Sequence, residues 1–137
     1  MKTVYITRRE TFNAAHKLYR EDWSEQKNWE VFGKCSNHNW HGHNFTIYVT
    51  VKGIPNPDTG FVINLKDLSE IVKQEVVEPL DHKNLNLDVP EFADLNPTAE
   101  NIAVVIWQKL RKYIDANKDL EVVLYETPRN FVTYNGN

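Results

Sequence analysis

Residues 41–51 read HGHNFTIYVTV, and the alternation within them decides the fold class. Phe45, Ile47, Val49 and Val51 are apolar and share one parity, while Asn44, Thr46, Tyr48 and Thr50 between them are polar or amphipathic. Successive side chains of a strand point to opposite faces, so the pattern predicts a strand with one buried face. Followed backwards, the same parity reaches His43 and His41. The apolar row therefore ends in two imidazoles on one face.

Upstream, Val4, Ile6, Phe12, Ala14 and His16 also share a parity, which predicts an opening strand running to residue 16 with a histidine at the end of its apolar row. Downstream, GIPNPDTG (53–60) holds two prolines and two glycines and reads as a turn leading to the short apolar run FVI, a hairpin. Asn64 is a helix cap, followed by Leu65, Leu68, Ile71, Val72 and Val76 at helical spacing until Pro79 stops the pattern. A second helix begins near Thr98, with Glu100 in its first turn and a stripe of Ala99, Ile102, Ala103, Ile106, Trp107, Leu110 and Tyr113. The connector DHKNLNLDVPEFADLNP is long and polar, and such loops in compact domains tend to be functional. Leu120, Val122, Leu124 and Glu126 then share a parity, and FVTY supplies a last strand. The order ββααββ predicts an α+β fold: a four-stranded antiparallel sheet with two helices on one face. Its open edges invite oligomerisation.

The 137 residues suit one domain, 1–137, and 41% hydrophobic with 26% charged residues is the mixture of an ordinary globular protein. A net charge of -3 offers no basic stripe for nucleic acid. The start MKTVYITRRETF lacks the apolar core of a signal peptide, and no run approaches the roughly 18 apolar residues of a membrane span, so a cytoplasmic protein is expected.

Three of the five histidines follow the single cysteine in CSNHNWHGH (35–43). Residues two apart on a strand converge, so His41 and His43 can share a metal ion, and His16 on the neighbouring strand is the best third ligand. His38 has the opposite parity and belongs to the preceding loop. A catalytic zinc keeps one position open, whereas Cys35 as a fourth ligand would close the site and make it structural; both arrangements fit the spacing. A lone cysteine with the Asp81-His82 pair could also form a proton-transfer set, since imidazole and carboxylate tune a thiol. Glu126, at the end of an apolar row, is either a strand-end surface carboxylate or an acceptor for the paired N–H donors of a planar heterocycle.

TFNAAH, Cys-x5-His-Gly-His, LDHKNL, PTAEN and YET, in that order between Thr11 and Tyr134, closely resemble the 6-pyruvoyl-tetrahydropterin synthase family. The resemblance implies a tunnelling fold whose subunits pair their edges into a barrel-closing trimer, with two trimers commonly stacked into a hexamer and active sites between subunits. It implies Zn2+ on His16, His41 and His43, proton transfer by Cys35, Asp81 and His82, a pterin ring held by Glu126, and Thr98 beside it. The implied reaction converts 7,8-dihydroneopterin triphosphate to 6-pyruvoyl-tetrahydropterin with triphosphate elimination. The related 6-carboxy-tetrahydropterin synthases of queuosine biosynthesis share that substrate, but commonly have three rather than five residues between the cysteine and the histidine pair. A non-catalytic metal-bound oligomer is the reading that follows if Cys35 closes the metal shell. Asn13, His38 and Trp40 depart from the family pattern, which often has serine, proline and, in the animal enzymes, glycine at these positions.

Overall fold

The computed structural model describes residues 2–137. Strands β1 (Val4–His16) and β2 (His41–Gly53) pair antiparallel along their whole length, with Val4 opposite Gly53 and His16 opposite His41. Both end in the predicted histidines. Strand β4 (Asp119–Tyr125) pairs with β2, and β5 (Phe131–Tyr134) pairs with β4, both antiparallel. On the other edge, β3 (Lys83–Asn84) runs parallel to β1 beside Ala14 and Ala15. The sheet is therefore five-stranded and mixed, in the order β3-β1-β2-β4-β5, rather than four-stranded and antiparallel. Two residues carry no readable alternation, so β3 left no signal in the sequence.

The parity that paired histidines with aliphatics is the buried one. Phe12, Ala14, Phe45, Ile47, Val49, Val51, Leu120, Val122 and Leu124 face the core. Helix α5 (Ala99–Arg111) covers β4 and β5, buries Ile102, Ala103, Ile106 and Leu110, and is capped by the Thr98 hydroxyl accepting from Asn101 N–H. Helix α2 (Leu65–Val72) is capped by Asn64 as expected, but the helical path does not stop at Pro79. A wide π turn over Lys73–Val77 leads into a short helix α3 (Glu78–Leu80) that contains the proline. Proline lacks the N–H that would bond four residues back. The Glu75 carbonyl, which would have received it, is instead approached by Lys109 Nζ at 3.5 Å.

Three further segments differ from the sequence reading. The run FVI is not a strand: Asn56 N–H donates to the Phe61 carbonyl, Gly60 N–H returns to Asn56 O, and the closed loop inserts Val62 into the core while Phe61 stays exposed. No hairpin forms there. The long connector folds into β3, helix α4 (Leu85–Asp88) and a tight turn over Pro90–Phe92, burying Leu85, Val89 and Phe92. Between β1 and β2 lies helix α1 (Glu25–Phe32), capped by Ser24. Its one buried residue is Asn28, whose amide oxygen accepts from Arg20 N–H and whose NH2 donates to the Arg20 and Ser24 carbonyls. A helix anchored by an amide shows no apolar stripe to read. Among the described residues, no helix is long and apolar enough to cross a membrane.

Candidate active site

The register of β1 against β2 assembles the centre of the site. His16 pairs directly with His41, and Ala14 with His43, so the three imidazoles gather on the core face at one end of the sheet. Their ring centroids lie 4.6, 5.1 and 4.8 Å apart, and one ligand atom from each falls within 4.8 Å of the others. Phe45 packs beneath, its ring 6.0 Å from that of His16 and 5.6 Å from that of His43, and stacks in turn on Phe12 at 5.0 Å. Aromatic packing on strand-borne residues leaves the histidines little freedom to rearrange.

Protonation states follow from partners. His16 is fully buried, and its Nδ1 lies 2.8 Å from the Pro97 carbonyl oxygen. A carbonyl only accepts, so Nδ1 carries the proton and Nε2 presents its lone pair to the cluster. Burial, reinforced by the two neighbouring imidazoles and opposed by the Pro97 bond, pulls the His16 pKa down to about 4. Burial and His43 also lower that of His41, against the pull of Glu126. Neutral imidazoles are what a metal ion requires. Yet His16 Nε2, both ring nitrogens of His41 and His43 Nε2 are buried without a hydrogen-bond partner. Buried unpaired polar atoms cost about 1–3 kcal/mol each, and a cation bound by the three imidazoles would satisfy one on each ring. The donor set fits zinc with an open fourth position. Among the described residues, Cys35 does not join the atoms that gather at this point, which speaks against the closed four-ligand shell.

Glu126 follows the last residue of β4, with Oε1 3.9 Å from His43 Nε2, so the apolar row of β4 ends in a carboxylate at the rim of the cluster. Cys35 sits on the tight turn Gly33–Ser36 after α1, half-buried, and its carbonyl accepts from Leu18 N–H at 2.7 Å, which ties the turn to the end of β1. Burial, and then the Glu126 carboxylate, push the Cys35 thiol up from its ordinary value. A nearby cation acts in the opposite sense. His16, His41, His43, Glu126 and Cys35 thus form one neighbourhood within one chain.

Asp81 and His82 lie elsewhere. Asp81 Oδ1 accepts from Asn13 N–H at 2.8 Å and Oδ2 lies 2.9 Å from His82 Nδ1, with the His82 side chain 82% exposed. The Asn13 bond and then His82 hold the Asp81 carboxyl below its usual value. His82 adopts φ +59°, and its N–H donates to the Asn13 carbonyl, so the pair is clamped at the outer edge of β1. Among the described residues, no hydrogen bond or ion pair joins it to Cys35. Thr98 spends its hydroxyl oxygen as the cap of α5, and the residue before it supplies the carbonyl that fixes His16. That carbonyl, from Pro97, was invisible in the sequence because every residue has one.

Gly42 has a smaller role than its place between two histidines suggests. It points to the opposite face, and a Cβ there would meet Ala14 O at 3.5 Å, an ordinary contact.

A family model for 6-pyruvoyl tetrahydropterin synthase matches residues 5–137. The chain belongs to the 6-pyruvoyl tetrahydropterin synthase family. It is 47% identical over 131 residues to the human 6-pyruvoyl tetrahydrobiopterin synthase and 48% identical to that of Pongo abelii, in both cases spanning 96% of this chain and 90% of the relative. The solved 6-pyruvoyl tetrahydropterin synthase of Caenorhabditis elegans superposes with a TM-score of 0.93 at 37% identity, covering all of this chain and 98% of that one. The α+β architecture is thus that of the synthase family, with the short parallel strand at its edge.

Proposed function

We propose that this chain is a zinc-dependent lyase that converts 7,8-dihydroneopterin triphosphate to 6-pyruvoyl-tetrahydropterin with elimination of triphosphate. The observation that carries the reading is a preformed set of three histidines with ring nitrogens buried without a partner, in a chain that matches the synthase family over nearly its whole length. Bound to His16, His41 and His43, Zn2+ would supply Lewis acidity toward the hydroxyls of the substrate side chain.

The chain's own residues supply orientation and proton transfer. Glu126, at the rim beside His43, accepts from the paired N–H donors of the pterin ring, which sets the side chain over the histidines. Thr98, at the start of α5 beside the residue that fixes His16, lines the ring's surroundings. Cys35 is the general base, taking a proton from a side-chain carbon once its thiol is ionised. Asp81 and His82 form the relay that moves protons on the other side of the substrate, with Asp81 holding His82 by its Nδ1 and leaving Nε2 outward.

The exposure of His82 and the clamping of the pair at the outer edge of β1 support an active site shared between subunits. The sheet supports the same arrangement: β3 pairs only with Ala14 and Ala15, leaving the rest of the outer edge of β1 open, and β5 leaves the other edge open. A trimer that joins these edges closes a barrel, and stacked trimers give a hexamer. Mass spectrometry of the products formed by zinc-loaded protein from 7,8-dihydroneopterin triphosphate tests the function. Pyruvoyl-tetrahydropterin with free triphosphate is the expected result; a carboxylated pterin, or no release of triphosphate, would overturn it.

A further inference from the structure

The proposed substrate is linear in its chemistry, with a ring at one end, a three-carbon side chain, and a highly charged leaving group at the other. The site has a direction to match. Tyr125 pairs with Thr46, so Glu126 stands at the level of Phe45; His43 and His41 follow along β2, and Trp40 comes next. From the level of Phe45 to that of Trp40 is five residues, about 16 Å at the rise of a strand. On β1, Lys17 directly follows His16, the partner of His41, so Lys17 and Trp40 flank each other one step beyond the histidines and on the side away from Glu126.

Lys17 differs from an ordinary surface lysine. Its N–H donates to Asn86 Oδ1 and its carbonyl accepts from Asn86 Nδ2, both at 2.9 Å, which fixes the backbone beyond the strand end. Its ammonium lies 4.5 Å from the centroid of the Tyr19 ring and 5.8 Å from that of Trp40. Two aromatic faces hold the charge without neutralising it. Among the described residues no carboxylate forms an ion pair with Lys17, whereas nearby Arg20 is paired with Asp22 at 2.7 Å. Trp40 itself adopts φ +62°, a conformation that side-chain-bearing residues rarely accept, and its indole Nε1 is buried without a partner. Backbone strain of this kind, of order 1–3 kcal/mol, collects where a ligand contact requires it. Lys17 also borders a cleft of about 570 Å³ shared with Ser36, Asn37 and His38 of the Cys35 turn. Glu21 and Glu25 line the same cleft and oppose an anion there, so Lys17 is the charge that would have to hold one.

We propose that Lys17, held beside Tyr19 and Trp40, receives the triphosphate of the substrate and discriminates phosphorylated from unphosphorylated pterins. The inference rests on the proposed function, because the direction of the site is defined by the ring at Glu126 and the side chain at the histidines. The test is calorimetric titration of zinc-loaded protein, in a Cys35→Ala background that prevents turnover, with 7,8-dihydroneopterin, its triphosphate and inorganic tripolyphosphate. Lys17→Gln is expected to weaken the triphosphate and tripolyphosphate at least tenfold while leaving dihydroneopterin within twofold, and Lys17→Arg to retain most of the phosphate affinity. Unchanged triphosphate binding in Lys17→Gln, or equal loss of all three ligands, overturns the assignment. A parent protein that binds neither dihydroneopterin nor its triphosphate overturns the function beneath it.

Discussion

The histidine cluster and the Asp81–His82 pair are both built on β1, yet one is enclosed by the chain's own groups and the other is left largely in solvent. His16, His41 and His43 are carried on paired strands, packed on Phe45 and oriented by the Pro97 carbonyl. Asp81 and His82 hang from the opposite edge of the same strand by two backbone hydrogen bonds at Asn13, with His82 in solvent. The antiparallel ladder fixes register and face together, so ligands placed on adjacent strands meet without help. An edge has no second neighbour until another chain supplies one. The histidine cluster is therefore a property of the fold, whereas the proposed relay would depend on the proposed assembly.

The sharpest way to break this contrast is to remove a strand-borne ligand. His16→Ala or His41→Ala is expected to abolish bound zinc, measured by elemental analysis, and to lower turnover by at least a thousandfold; a variant that keeps stoichiometric metal would remove the cluster from the mechanism. Next in size is a mixing experiment. Cys35→Ala and His82→Ala are each expected to lose about 10²–10⁴ in turnover. Co-refolding the two inactive proteins should restore a substantial fraction of the activity, because some sites then combine an intact cysteine with an intact relay from a neighbour. No restoration would mean that both groups serve the same chain's site.

Acid sensitivity probes the buried half alone. In the metal-free protein His16 titrates at about 4 instead of 6.5. Between these values the unfolded chain binds a proton that the native state refuses, so stability falls as pH is lowered from about 6.5 to about 4 and levels off below. The single-site loss is about 3 kcal/mol at most, read from urea midpoints. His16→Gln should flatten that slope, whereas His82→Gln, at an exposed site, should leave it in place. The smallest effect is expected at Gly42→Ala: with room for a Cβ on the face away from the histidines, stability should move by less than about 1 kcal/mol and zinc content should not change. A loss of metal there would show that the glycine shapes the ligand geometry after all.

Legibility followed the same divide between ladder and edge. Both long strands, their boundaries at His16 and His41, the start of α5 at Thr98 and the core face were readable because period-two and period-3.6 patterns bury one side. Pro79 misled because a π turn lets the helical path absorb it, and α1 gave no pattern because an asparagine anchors it. The two-residue β3 was too short to register, although it is the element that brings Asp81 and His82 to the edge of β1.

By itself the sequence determined which residue types end which apolar rows: imidazole on β1 and β2, carboxylate after β4. Side-chain alternation is local and survives without knowing any partner. Only the tertiary structure decided that His16 stands opposite His41, that a backbone carbonyl selects the tautomer of His16, that Lys17 lies beside two rings, and that Asp81 and His82 are tied to the outer edge of β1 at Asn13. Those facts depend on register, on the path of connectors and on groups every residue shares, and none of these leaves a periodic trace in the chain.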